Sequence, residues 1–185
     1  MEKGLTIRRI VVAGVLSAIA ILLGVTRLGY IPVPTPAGNA TIMHVPAIIG
    51  GIMEGPIVGL IIGLIFGASS FLEATVPLFK DPLVAILPRL FIGVVAFFIY
   101  FGLKRFNEYV AIGVAGFIGS LTNTVLVLFM AVVRGYMAPK VAIGVAITNG
   151  IPEAIVSIIV TLAIVASWKK IGVSVKQKSK ISGKF

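Results

Sequence analysis

The sequence predicts an all-α integral membrane protein of six transmembrane helices in one domain. Three observations lead there. Of 185 residues, 58% are hydrophobic and 12% charged, with a mean hydropathy of +1.13; soluble domains carry about twice that charged fraction. Several apolar stretches approach or exceed the roughly 20 residues that cross a bilayer as helix. The basic residues, finally, gather at the chain ends and at one internal joint, as membrane topology requires.

The first segment, about 8 to 28, reads RRIVVAGVLSAIAILLGVTRL. It is too long and too rich in Gly and Ala for a signal peptide, and further spans follow it, so it is expected to be retained. A loop, GYIPVPTPAGNA, comes next, its prolines and glycines suiting irregular backbone. Two short segments, about 41 to 53 and 55 to 71, divide at MEGP. The fourth covers about 82 to 103, the fifth 109 to 133 and the sixth 142 to 168. Residues 169–185, KKIGVSVKQKSKISGKF, read as a solvated basic cytoplasmic tail.

Charge tests this layout. With six crossings and a cytoplasmic N-terminus, the inner side carries Lys3, Arg8, Arg9, Lys104, Arg105, Lys169, Lys170, Lys176, Lys178, Lys180 and Lys184. The outer side carries Arg27, Lys80, Arg134 and Lys140, and Arg89 falls within a span. The positive-inside rule therefore places both termini in the cytoplasm of a multi-pass cell-membrane protein. Five or seven crossings would separate the two basic ends.

The net charge of +10 belongs to topology and anionic headgroups rather than to nucleic acid. Cysteine is absent and histidine occurs once, so no disulfide frame, thiolate nucleophile or His-rich metal centre is expected. No phosphate-binding loop or recognisable catalytic constellation is present, which argues against an ATPase and disfavours an intramembrane enzyme. A membrane scaffold whose polar residues merely glue helices stands as a further class.

Gly55, Gly59, Gly63 and Gly67 recur every four residues in the third segment. Such a stripe lets another helix approach closely; tight internal packing is the expectation, and a partner-facing surface the other reading. The same holds for Gly113, Gly116 and Gly119.

Polar groups at membrane depth are costly, so each is a candidate site residue. At 1.5 Å per residue, Arg89 and Asn149 come out roughly 10 Å, and Asn123 and Glu153 roughly 15 Å, below the outer edge. His44 lies nearer that edge. Pro88 removes a helical hydrogen bond to the Val84 carbonyl, and Pro152 removes one to that of Thr148. Broken helices at membrane depth are tolerated where protein or a wet cavity satisfies the freed groups, and transporters build binding sites from them. A dead-end polar chamber open to the outside follows as the expectation. Arg89 and Glu153 either pair with each other or meet a ligand. Asn123 is helix glue or ligand contact, and His44 leans to a structural role. Asp81 before Pro82 reads as an N-cap, and Glu54 as a turn or cap residue.

The runs IPVPTPAGNATIMHVPAIIGGIMEGPIVGLIIGLIFG and PLFKDPLVAILPRLFIGVVA resemble the substrate-binding S components of energy-coupling factor (ECF) vitamin transporters. The GPIVG turn and the DPLVAILPR segment carry the likeness most specifically. The resemblance implies a subunit without cofactor that captures a vitamin from outside. It also implies a transmembrane coupling subunit and two cytoplasmic ATPases as partners. Its vitamin site would include Asn39, His44, Phe79, Arg89, Asn123, Asn149 and Glu153. The family's A-x-x-x-A contact motif has its counterpart in AGVLSA, where Ala13 precedes Ser17 by four and Gly14 precedes Ala18 by four. For the vitamin, the reading leans to riboflavin, with pantothenate or folate as alternatives. An Arg89 neutralised by Glu153 favours riboflavin; a free Arg89 favours the pantothenate carboxylate.

Overall fold

The computed structural model describes residues 6–31 and 40–182. Helix α1 spans Ile7–Val25 and ends where the Thr26 hydroxyl donates back to the Leu22 carbonyl at 2.5 Å. Arg27 takes a left-handed turn, φ 58°, and the chain enters a two-residue antiparallel ladder, β1 (Tyr30–Ile31) with β2 (Ala40–Thr41), pairing Tyr30 with Thr41. This ladder was not expected from the sequence.

Helix α2, Val45–Glu54, is ten residues long, with every residue but Met53 buried. A helix apolar on all sides belongs at the centre of a bundle, and α2 is packed by α1, α3, α5, α6 and α8. Its length of about 15 Å is half the bilayer core. It turns at Gly55, φ 104°, into α3, Pro56–Leu72, with proline at the first helical position, which pre-sets the helical φ.

The glycine stripe is internal packing. A methyl group at Gly59 would sit 2.9 Å from the Gly93 backbone, one at Gly63 2.1 Å from the Arg89 carbonyl oxygen, and one at Gly67 2.9 Å from Ile86 Cα. Gly55 does not share in it; it serves the turn. The stripe thus seats α3 directly on the first turns of α5.

The fourth predicted segment is divided. A 3-10 turn, Pro77–Lys80, leads to α4, Pro82–Ala85, capped by Asp81, whose Oδ1 accepts from Leu83 N at 3.0 Å. The chain breaks at Ile86 and resumes as α5, Leu87–Leu103. Helix α6, Glu108–Val133, opens on Asn107, whose side chain accepts from the amides of Tyr109 and Val110. Gly135, φ 75°, turns the chain into α7, Pro139–Thr148; Asn149 interrupts the helix, and α8 runs from Gly150 to Ser182. The sixth segment is therefore two helices, and the basic tail continues α8 as helix through Ser182.

Four stretches are long and apolar enough to cross a membrane: Ile7–Val25, Pro82–Leu103, Glu108–Val133 and Pro139–Lys170; α2 and α3 are apolar but shorter. The outer faces stay apolar, with Ile143, Ile147, Ile151, Ile155 and Ile159 exposed along α7 and α8, a surface suited to lipid. At the end of the bundle holding the α2–α3 turn, Glu54 meets Arg8 at 2.9 Å, and Lys169 bonds both Glu108 and Tyr100.

Candidate functional site

The opposite end of the bundle holds a cavity of about 800 Å³. It exists because α2 starts only at Val45: the space along its axis beyond that point is left to the chain segments on either side. The end of α1, the β ladder, the end of α3, the 3-10 turn, the break before α5, the second half of α6 and the α7–α8 break surround it.

Five of the seven expected ligand residues line this space: Phe79, Arg89, Asn123, Asn149 and Glu153. Asn39 lies outside the described residues. His44 is not on the wall. It caps α2 from below, with no exposed surface, and its Nε2 is 3.0 Å from Ser120 Oγ. Because α2 begins four residues later than predicted, His44 stands at its N-cap position instead of within its first turn.

Arg89 is 3% exposed. Its Nη1 donates to the Val84 carbonyl at 2.6 Å, and its guanidinium lies 5.0 Å from the Phe79 ring centroid and 5.6 Å from that of Phe66. Arg89 Nε finds no hydrogen-bond partner among the described residues, and neither does Asn123 Oδ1. Buried polar atoms ordinarily have partners, and both of these residues line the cavity.

Glu153 does not pair with Arg89. Ion pairs among the described residues join other groups, and the two Glu153 oxygens accept from Thr41 N at 2.6 Å and Thr124 Oγ1 at 3.0 Å. The acidic side chain also stands in the first turn of α8, where the helix dipole favours negative charge. Asn149, at the α7–α8 break, faces the same cavity.

Thr41, Thr124, Phe66, Tyr30, Arg27 and Glu73 also line the space and were not singled out as site residues. Thr124 was visible as a neighbour of Asn123 and Phe66 as an aromatic without a fixed direction. Arg27 and Glu73 stand just past the ends of α1 and α3, where sequence offers no depth signal. Between the turn that carries Phe79 and the one that carries Met137, Arg134 Nε donates to Asp81 Oδ2 at 2.5 Å, and Tyr136 OH lies 3.5 Å from the same oxygen. The Arg134 guanidinium holds the Asp81 carboxyl below the usual carboxylate value, chiefly through that hydrogen bond.

The four small residues of α1 divide. Ala13 and Ser17 are buried, 6% and 4% exposed, on the face turned to α2 and α3. Gly14 and Ala18 are exposed, and nothing lies within 4 Å of a methyl placed at Gly14.

With this geometry in place, similarity to known proteins can be read. The family described as ECF transporter, substrate-specific component matches residues 8–165. The chain is also 30% identical over 155 residues to the pantothenic acid transporter PanT of Lactococcus lactis subsp. cremoris, covering 70% of this chain and 78% of that protein.

Proposed function

Because this chain belongs to the substrate-specific components of ECF transporters, we propose that its cavity captures a small vitamin bearing a carboxylate, of the pantothenate type. The observation that carries this is the buried Arg89 guanidinium. It faces the cavity, forms no ion pair among the described residues, and keeps Nε without a partner. A ligand carboxylate there gains charge-assisted hydrogen bonds in a low-dielectric site. Asn123 Oδ1 offers an acceptor to a ligand hydroxyl or amide, and the Phe66 and Phe79 rings supply apolar wall, the usual composition of a small-molecule site.

Riboflavin gains if Glu153 neutralises Arg89, and pantothenate gains if Arg89 is free. Glu153 is engaged with Thr41 and Thr124 instead, and the relative's name points the same way: it is a pantothenic acid transporter. A cavity of about 800 Å³ also has room for a flavin, which keeps riboflavin as the second reading. A helix-glue scaffold would have no use for the orphan donor and acceptor on one wall.

By the positive-inside rule, the basic ends favour cytoplasmic termini and a cavity that opens outside. Uptake then requires a coupling subunit and two ATPases, and the outward small residues of α1, Gly14 and Ala18, are the surface we assign to the coupling subunit. Pantothenate and riboflavin titrations of the purified protein test the substrate. The expected result is saturable pantothenate binding, weakened about 30-fold or more in Arg89→Gln, since losing one partner of a desolvated charge pair costs about 2–5 kcal/mol. Riboflavin binding that ignores Arg89→Gln, with no pantothenate binding, would overturn the reading.

A further inference from the structure

We infer that Glu153 acts on the ligand indirectly, as a positioning residue that anchors the β1–β2 ladder to α6 and α8 and so fixes one wall of the cavity. The functional consequence rests on the vitamin-capture reading above; the anchor itself does not.

A two-residue antiparallel ladder is far below the size that holds itself together in isolation. Yet Tyr30 and Thr41, cross-strand partners in it, both line the cavity, as does Met43 two residues further on. Something outside the ladder has to hold it. The Ile42 amide bonds to the Gly29 carbonyl at 2.9 Å, a bond local to the hairpin. The Thr41 amide points the other way and donates to Glu153 Oε1 at 2.6 Å, across 112 positions of sequence. Glu153 Oε2 accepts from Thr124 of α6, and the Glu153 amide donates to the Asn149 carbonyl at 3.1 Å. One buried carboxylate, 6% exposed, therefore joins β2, α6 and the start of α8. Both carboxyl oxygens are in use.

The chemistry separates this role from direct ligand contact. Glutamine at 153 can keep both bonds: its Oε1 accepts from Thr41 N, while its Nε2 donates to Thr124 Oγ1, since a hydroxyl accepts as well as donates. Thr124 Oγ1 then turns its proton to the Ser120 carbonyl, 3.3 Å away. Alanine keeps neither. An anchor therefore tolerates Glu153→Gln and fails in Glu153→Ala, whereas a charge used by the ligand fails in both.

The experiment uses the full chain in detergent, with pantothenate as the probe. Amide hydrogen exchange at Thr41 is read in the ligand-free protein, and pantothenate dissociation is read by stopped flow. In Glu153→Ala, the Thr41 amide is expected to exchange at least about tenfold faster while α5 and α6 stay protected, and pantothenate should leave about tenfold faster. Glu153→Gln should stay within about threefold of wild type in both. The inference is overturned if Thr41 stays protected in Glu153→Ala, or if Glu153→Gln loses pantothenate as fully as Glu153→Ala. Should wild type bind no pantothenate, the substrate reading fails, and Thr41 exchange in the two variants still decides the anchor.

Discussion

Arg89 Nη1 donates a 2.6 Å hydrogen bond to the carbonyl oxygen of Val84, the acceptor that Pro88 leaves without its helical donor. Proline has no N–H to give the residue four positions back, and a carbonyl stranded in an apolar interior costs about 1–3 kcal/mol. The neighbouring side chain repairs the break it sits beside. In doing so the guanidinium is fixed against Phe66 and Phe79, with Nε left without a hydrogen-bond partner among the described residues. The broken helix and the cavity-lining cation are thus one device.

That device stands on the α3 glycines. A methyl at Gly63 would meet the Arg89 carbonyl oxygen at 2.1 Å and its carbonyl carbon at 3.0 Å. Both are backbone atoms, so no rotamer change relieves the clash. Gly63→Ala should force α3 and α5 apart, lowering stability by about 1–3 kcal/mol and weakening pantothenate binding through the displaced Arg89. Gly144→Ala, with nothing within 4 Å of the added carbon, should be neutral or gain up to about 1 kcal/mol of helix propensity. Thermal unfolding in detergent with a pantothenate titration checks both; equal stability of the two variants would remove the α3–α5 contact from the account.

Much of this was legible in the sequence because it depends on local pattern. The six apolar segments, the MEGP turn, the Asp81 cap and the Pro88 break each follow from a few adjacent residues. Depth along a helix axis follows too: it brought Arg89 and Asn149 to roughly 10 Å and Asn123 and Glu153 to roughly 15 Å below the outer edge, and all four line one cavity. Rotation about the axis does not follow. Depths within about 5 Å of each other left the Arg89–Glu153 pair open, and only packing shows Glu153 turned to Thr41 and Thr124. The same gap affects α1: spacing of four puts Ala13 with Ser17 and Gly14 with Ala18, but neither pair announces which faces inward. The start of α2 was set too early because four residues assigned to it belong to β2 and the turn after it. Two-residue strands carry no periodicity to read.

Asp81 and Arg134 join the 3-10 turn carrying Phe79 to the α6–α7 turn carrying Met137, both cavity residues. The Asp81 carboxyl is held below its usual value, so the pair is whole at neutral pH and is lost as pH falls through that depressed value, in the range under the ordinary Asp value of about 3.9. The Arg134 side chain is half exposed while that of Asp81 is 5% exposed, and a pair open to solvent on one side is partly screened, so the larger expected effect is on ligand exchange. Pantothenate dissociation from wild type should quicken only in that acid range. Asp81→Asn, which retains a good N-cap, should show the faster rate already at neutral pH and flatten the acid response. A variant with wild-type kinetics at both ends of the range would separate the pair from ligand exchange.

The small residues of α1 give opposite expectations for neighbouring positions. Leucine at Ala13 or Ser17 enters a packed interior against α2 and α3 and should lower thermal stability by about 1–3 kcal/mol. Leucine at Gly14 or Ala18 enters open space on the outer face; it should leave stability and pantothenate binding within about twofold of wild type, because exposed substitutions rarely exceed about 0.5 kcal/mol. If a coupling subunit docks on that face, its close approach depends on residues without bulk, and Gly14→Leu should cut pantothenate uptake by cells expressing the whole transporter about tenfold or more. Uptake and binding measured on the same variants decide it: full uptake by Gly14→Leu and Ala18→Leu would move the docking surface to another helix, whereas loss of binding in step with uptake would mean that this face serves the fold.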